Sequence, residues 1–212
     1  IEKNLGILAI TEHNDASWIP LYQEINKEEL FKSIILFPGV EITSKEGIHL
    51  LVLFNPKTLC KDIDSFLIKI GLEKNRIKNG GVVPSEKTYD EIISLIEKDY
   101  CHMADDIKHY SAIAIAAHVD SENGLMKREN VNLYYKNPCL ISVQINHPFS
   151  SLKEGLKTIF NGKDPNYGGK RVAVIESSDA RSLDDIGKNA SYIKLSSPTV
   201  EGLRQAFLDP DS

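Results

Sequence analysis

Five short apolar runs punctuate this chain of 212 residues, and each meets a side chain able to bind metal at one of its ends. ILAIT runs into Glu12 and His13, PGV into Glu41, IAIAA into His118 and AVIESS into Asp179, whereas HLLVLF is opened by its own His49. Short runs without polar interruption are the mark of strands buried on both faces. Such strands alternate here with segments of helical spacing, which restricts the fold to an α/β class with a mostly parallel sheet, open or closed. Folds of that class gather reactive groups where the strands stop. Histidines 13, 49 and 118, with Glu41 and Asp179, therefore point to a metal-dependent hydrolase.

The bulk composition narrows the partners. A chain of this length is one domain, or one domain with an insertion, and a hydrophobic fraction of 42% suffices for a substantial core. The formal net charge of −5 supplies no global field to attract nucleic acid, although bound metal ions would supply positive charge locally. Cys60, Cys101 and Cys139 form no CxxC pair and no even set, so neither a zinc ribbon nor a disulfide framework is indicated, and a reducing cytoplasm fits best. No apolar stretch approaches the ~20 residues of a membrane helix, so no membrane partner is expected. The chain enters a core strand almost at once and stops just after a helical segment, so both ends read as cuts in a longer protein.

Along the chain, strands are expected at 7–11, 34–43, 48–54, 113–119, 140–145, 172–175 and 192–195. Helices are expected at about 15–32, with Pro20 in the first turn, and at 63–72, 88–100, 151–160 and 200–208. Pro38-Gly39 predicts a bend in the second strand. Residues 74–84 read as a mobile loop, and His102 and His109 as solvated groups near a helix end. The short turn at 44–47 makes the second and third strands an antiparallel hairpin. A hairpin symmetric about Lys45 puts Glu41 directly opposite His49 with Cβ atoms ~5 Å apart, close enough to share one metal ion. Each candidate also fits a structural role alone: a Glu–His hydrogen bond on the hairpin, a core position for His118, a loop position for His13, an Asx-turn for Asp179. Independent structural histidines would not all fall at strand ends.

In order along the chain, ITEHND, PGVEIT followed by GIHLLVLF, IAIAAHVD and SSDARSLDDIG resemble the ITDHN, GVE-and-histidine, AH and SDAHSL elements of the PHP superfamily, the polymerase and histidinol phosphatase domains. The resemblance spans about residues 5–187. The closing IKLSSPTVEGLRQAFLDPDS resembles the TrlF-like members, which are fused to AAA- or SMC-like ATPases. The resemblance implies a single domain over 1–212 with a distorted (β/α)7 TIM-like barrel, incomplete at its N-terminus, and with residues 188–212 leading toward a following domain. It implies divalent metal (zinc, manganese or iron) at the strand ends, activating water against a phosphoester or nucleic acid. Glu41 would bridge two metals, His49 and His118 would complete one of these sites, Asp179 would serve the other, and His13 would serve a third.

Three departures complicate that picture. The HxH element expected before Ile1 is absent from this sequence, Arg181 stands where the family has a late histidine, and Glu12 replaces an aspartate. Arginine cannot deprotonate to bind metal. Arg181 is then either the mark of a decayed site or a guanidinium that grips phosphate in place of a metal, which would make it and His13 the catalytic pair. Two functions follow. One is a phosphoesterase or nuclease-like hydrolase domain attached to an ATPase, in the cytoplasm, with a role in DNA repair or phage defence. The other is a catalytically degenerate module that binds or regulates a partner ATPase or nucleic acid. A weaker third is an amidohydrolase-like enzyme cleaving C–N bonds.

Overall fold

The computed structural model describes residues 5–29, 33–72, 77–78, 81–100, 111–122 and 124–209. Eight strands and six α-helices are defined among them: β1 (Ile7–His13), α1 (Ile19–Ile25), β2 (Ile35–Thr43), β3 (His49–Phe54), α2 (Cys60–Lys69), β4 (Ile77–Lys78), β5 (Gly81–Val82), α3 (Tyr89–Tyr100), β6 (Ala112–Ala116), α4 (Val131–Tyr135), β7 (Ser142–Ile145), α5 (Glu154–Phe160), β8 (Ala173–Glu176) and α6 (Val200–Leu208). Six strands form one sheet in the order β1-β2-β3-β6-β7-β8, and β4 and β5 pair separately.

Each strand of the large sheet adds to the edge left by the one before it. This is the order of a barrel wall, and the sheet is a curled half-barrel. β1 and β2 are parallel, as are β6, β7 and β8, while β3 runs antiparallel to both β2 and β6. The parallel strands thus end at one rim, and β3 begins there. That reversal explains why the metal-friendly residue closes the other runs but opens HLLVLF.

Both faces of the sheet are covered. One face packs Val40, Ile42, Leu50, Val52 and Ala114 against Ile63, Phe66 and Leu67 of α2 and Ile92, Ile93 and Ile96 of α3. The other packs Phe37, Leu53, Ile113 and Ala173 against Val200, Leu203 and Phe207 of α6. Two-sided burial is what makes the strands read as unbroken apolar runs. Thr199 caps α6 through Oγ1, which accepts the Gly202 N–H at 3.1 Å, and the buried Arg204 ties the helix to Glu97 of α3 at 2.8 Å. Residues 37, 53, 113 and 173 lie at the end of the sheet away from the rim, so α6 covers the far half of this face and leaves the near half to polar groups.

Several expectations need correction. Residues 192–195 form no strand: the Glu176 N–H donates to Ser191 Oγ at 2.8 Å, a side-chain bond where a ladder bond would be, while Ile193 and Leu195 pack on the α6 cluster. The first helix starts at Ile19 because the Asp15 carboxylate accepts the Ser17 N–H at 2.9 Å and holds the preceding residues in a turn. α2 begins and ends about three residues earlier than its periodicity implied. Ser150 and Ser151 lie in a short 3-10 turn, Phe149–Ser151, and α5 follows after it. The pairing of β2 with β1 runs in unbroken register through Pro38 and Gly39, where a bend was expected. Within the expected loop at 74–84, residues 74–76, 79 and 80 lie outside the described residues, as do His102 and His109.

Candidate metal centre

The rim residues converge because of strand parity. Along β2, Phe37, Gly39 and Glu41 share the face that α6 covers further down, and His13, directly opposite Glu41 in β1, shares it too. Glu12, one position earlier, is exposed on the opposite face. In β3 the register pairs Thr43 with His49 and Glu41 with Leu51. Glu41 and His49 are therefore diagonal rather than directly opposed, a correction to the hairpin symmetric about Lys45. The turn decides this. The Ser44 N–H donates to the Ile48 carbonyl at 2.8 Å, leaving a three-residue loop that closes on Gly47 at φ +81°. A left-handed residue at the third position is the usual build of such a loop, and glycine takes it without strain. The two-residue offset preserves the face, so the side chains still meet.

His49 Nδ1 lies 2.7 Å from Glu41 Oε1, His118 Nε2 lies 3.1 Å from the same oxygen, and the two ring nitrogens are 3.1 Å apart. The second oxygen, Oε2, faces His13 Nε2 at 3.6 Å. Glu41 thus offers one oxygen to the His49–His118 pair and the other to His13. Glu41, His49 and His118 each offer one donor atom within 4.8 Å of the others, which makes them a group able to hold a metal ion.

The donor set fits a divalent cation. Three lone-pair atoms at this spacing repel one another unless protons or a positive ion sit among them. Bond lengths of about 2.0–2.2 Å to nitrogen and oxygen correspond to ligand separations of about 3.3 Å in a tetrahedral site, so the triad need open by only a few tenths of an ångström. Buried Nδ1 atoms of His13 and His118 have no hydrogen-bond partner among the described residues. The electrostatics agree: burial acts to raise the Glu41 pKa, but hydrogen bonds from His118 and His49 and the charge of His13 outweigh it and bring it down to about 2. Burial works against charge on His118 as well, yet the bond to Glu41 leaves its pKa raised.

His118 is held from behind by groups that were not singled out in the sequence. Its main-chain N–H donates to the Gln144 side-chain oxygen, the Gln144 amide donates to Asn146 Oδ1, and Asn146 Nδ2 donates to Asp179 Oδ2 at 3.2 Å. A polar chain therefore links the triad to Asp179 across the ends of β6, β7 and β8. The signal for Gln144 was the polar–apolar alternation of Ser142, Val143, Gln144 and Ile145 inside a buried run. His118 (φ +27°), Asp179 (φ +45°) and Asn14 (φ +52°) all follow strand ends in the left-handed region, which non-glycine residues seldom occupy. Such backbone strain persists where the surroundings over-determine it, and it clusters at functional sites.

Asp179 itself is exposed and is not among the three clustered donors. Arg181 is exposed on the turn beyond it and makes no side-chain hydrogen bond or ion pair among the described residues.

No family model and no curated protein matches the chain. Solved structures do. The lesion-specific endonuclease PfuEndoQ from Pyrococcus furiosus superposes with a TM-score of 0.61 at 14% identity, over 96% of this chain and 48% of its own. A complex of Endonuclease Q with a 27-mer duplex bearing an abasic lesion at the active site gives 0.62 at 12% identity, over 97% and 48%. A candidate metal-dependent phosphoesterase from Bifidobacterium adolescentis gives 0.54 at 10% identity, over 96% and 86%. The chain spans about half the length of the endonuclease structures. At these identities the likeness is one of fold, and the chain has the fold that these proteins share.

Proposed function

We propose that this chain is a PHP-type hydrolase domain that cleaves phosphoesters of nucleic acid with a divalent metal, and that it works attached to an ATPase. The observation that carries the reading is the convergence of Glu41, His49 and His118 on one point at the rim of this fold. His49 and His118 would hold the ion through ring nitrogens and Glu41 through Oε1, with His13 and Asp179 as flanking ligands. A mixed nitrogen and oxygen set suits zinc, manganese or iron. Such an ion would supply Lewis-acid activation of water and offset charge on the phosphoryl group.

The protein's own groups do the rest. Glu41 stays anionic at neutral pH because its pKa lies near 2, so it does not compete for a proton where a cation is needed. Gln144 fixes the His118 backbone and keeps the ring aimed at Glu41. Arg181, exposed and uncommitted, would grip a phosphate oxygen in bidentate fashion. The duplex held by Endonuclease Q supports a nucleic-acid substrate. The TrlF-like closing segment supports the ATPase and, with it, a role in DNA repair or phage defence.

Arg181 in place of the family histidine favours a second reading, a degenerate module that binds nucleic acid or its ATPase without cutting. One experiment separates the two: measure metal content and cleavage of an abasic-site duplex by wild type and by His118→Gln. Metal-dependent cleavage lost in the variant supports the hydrolase. Binding of metal and duplex without cleavage supports the module, and absence of bound metal overturns the centre itself.

A further inference from the structure

His147 stands outside the donor set, yet its ring is held in a defined orientation at the same rim. Nδ1 lies 2.7 Å from Asp120 Oδ2; the Asp120 side chain is 6% exposed, the His147 side chain 68%. The other oxygen, Asp120 Oδ1, accepts the Asn146 N–H at 3.4 Å, so the carboxylate is fixed by the strand end that carries His147. An ionised carboxylate only accepts, so Nδ1 carries the proton, and Nε2 has no partner among the described residues.

The segments that carry the pair adjoin the segment that carries His118. The Val119 N–H donates to the Gln144 carbonyl at 2.9 Å, which lays residues 118–120 alongside 144–147. On the other side, Asn146 reaches Asp179, and the Phe149 N–H donates to Glu176 Oε1 at 2.9 Å, anchoring the loop after His147 to β8. A buried acid that orients an exposed imidazole is the arrangement of a proton-transfer dyad.

Resting on the hydrolase reading above, we propose that His147, oriented by Asp120, is the general acid that protonates the departing oxygen. As the oxygen of water bonds to phosphorus, the bond from phosphorus to the leaving oxygen breaks and its electron pair stays on that oxygen. The leaving oxygen takes the Nε2 proton of the His147 imidazolium. The attacking water loses its proton to solvent, and the neutral ring, still protonated at Nδ1, regains its Nε2 proton from solvent.

The test compares two leaving groups in metal-loaded wild type and His147→Gln. Thymidylyl-thymidine must expel an alkoxide, which needs a proton; bis(p-nitrophenyl) phosphate expels a phenolate, which does not. The variant is expected to lose roughly 10²–10³-fold on the dinucleotide and less than about threefold on the aryl ester, with unchanged metal content. Equal losses on both esters, no loss on either, or a fall in bound metal overturns the general acid and leaves the hydrolase standing. Wild type that hydrolyses neither ester overturns the hydrolase reading, and the general acid with it. Nitrogen-15 spectra give a readout without turnover: neutral His147 is expected to carry its proton on Nδ1, and an Nε2-protonated ring overturns the dyad.

Discussion

Glu41 is paired in register with Leu51, yet its Oε1 lies 2.7 Å from Nδ1 of His49, a diagonal neighbour across the hairpin. The carboxylate reaches along the strand rather than straight across it, and so comes within 3.1 Å of His118 Nε2, just beyond the end of β6, as well. Glu41→Gln keeps the size of this side chain and removes its charge. We expect it to lower affinity for manganese or zinc by about 10²-fold, equivalent to about 2.7 kcal/mol, while leaving the chain folded. Competition titration with a chelating dye measures the first effect and circular dichroism the second.

The face shared by Glu41 and His49 was legible in the sequence because side chains alternate with period two, and any even shift in register keeps the pair together. The register itself required reading Gly47 as the left-handed closing residue of the loop, which moves the centre of the hairpin from Lys45 to Glu46. The metal-friendly residues at strand ends were legible for the same reason that the strands were: burial on both faces leaves few polar groups away from the rim. Residues 192–195 misled because their alternation reports a half-buried surface, and a segment can be half-buried by packing on α6 without joining a ladder. The role of His147 was not legible, since its partner Asp120 is 27 positions away and only the parallel pairing of β6 and β7 brings the two together.

Gln144 should matter without touching the metal. Gln144→Leu leaves the His118 N–H and Asn146 without their partners in a buried setting, at a cost of about 1–3 kcal/mol. We expect a lower melting temperature and a loss of roughly 10-fold or more in metal affinity, the scale typical of groups that orient ligands. Gln144→Glu keeps the acceptor for His118 and should recover part of the affinity.

Gly39 sits two residues before Glu41 where β2 is pinched between its neighbours. A Cβ there would lie 2.7 Å from the Val52 carbonyl oxygen and 2.9 Å from Leu53 Cδ2. Backbone on one side cannot yield as a side-chain end would, so Gly39→Ala should destabilise the fold by roughly 2–4 kcal/mol in chemical denaturation. A loss below about 0.5 kcal/mol would show that the strands separate more easily than this packing allows.

Arg181 should affect phosphate and not metal. Its exposed guanidinium makes no ion pair among the described residues, so Arg181→Ala costs the fold little. Inorganic phosphate is expected to bind at least about fivefold more weakly to the variant, with metal content unchanged, and Arg181→Lys should recover only part of that because it lacks the bidentate fork. Equal phosphate affinity in wild type and variant would mark the arginine as a remnant of a lost site.

The sign of the pH dependence should reverse on adding metal. In the metal-free protein Glu41 has its pKa lowered from 4.5 to about 2, so its contribution to stability is present above 4.5 and is lost as pH falls toward 2. His118 has its pKa raised from 6.5, so its contribution is present below 6.5 and is lost as pH rises through the raised value. Between these limits both contribute, and the metal-free protein should melt at a higher temperature near about pH 5.5 than near about pH 8.5. In Glu41→Gln that difference should shrink, because the carboxylate is what holds the His118 proton against burial. Metal binding requires the same ring nitrogens without protons, so with manganese added the stabilisation should grow as pH rises over the same interval. Thermal melts at the two pH values, with manganese and with a chelator, check both signs. A melting temperature that moves identically in the two conditions would mean that His118 does not exchange its proton for the ion.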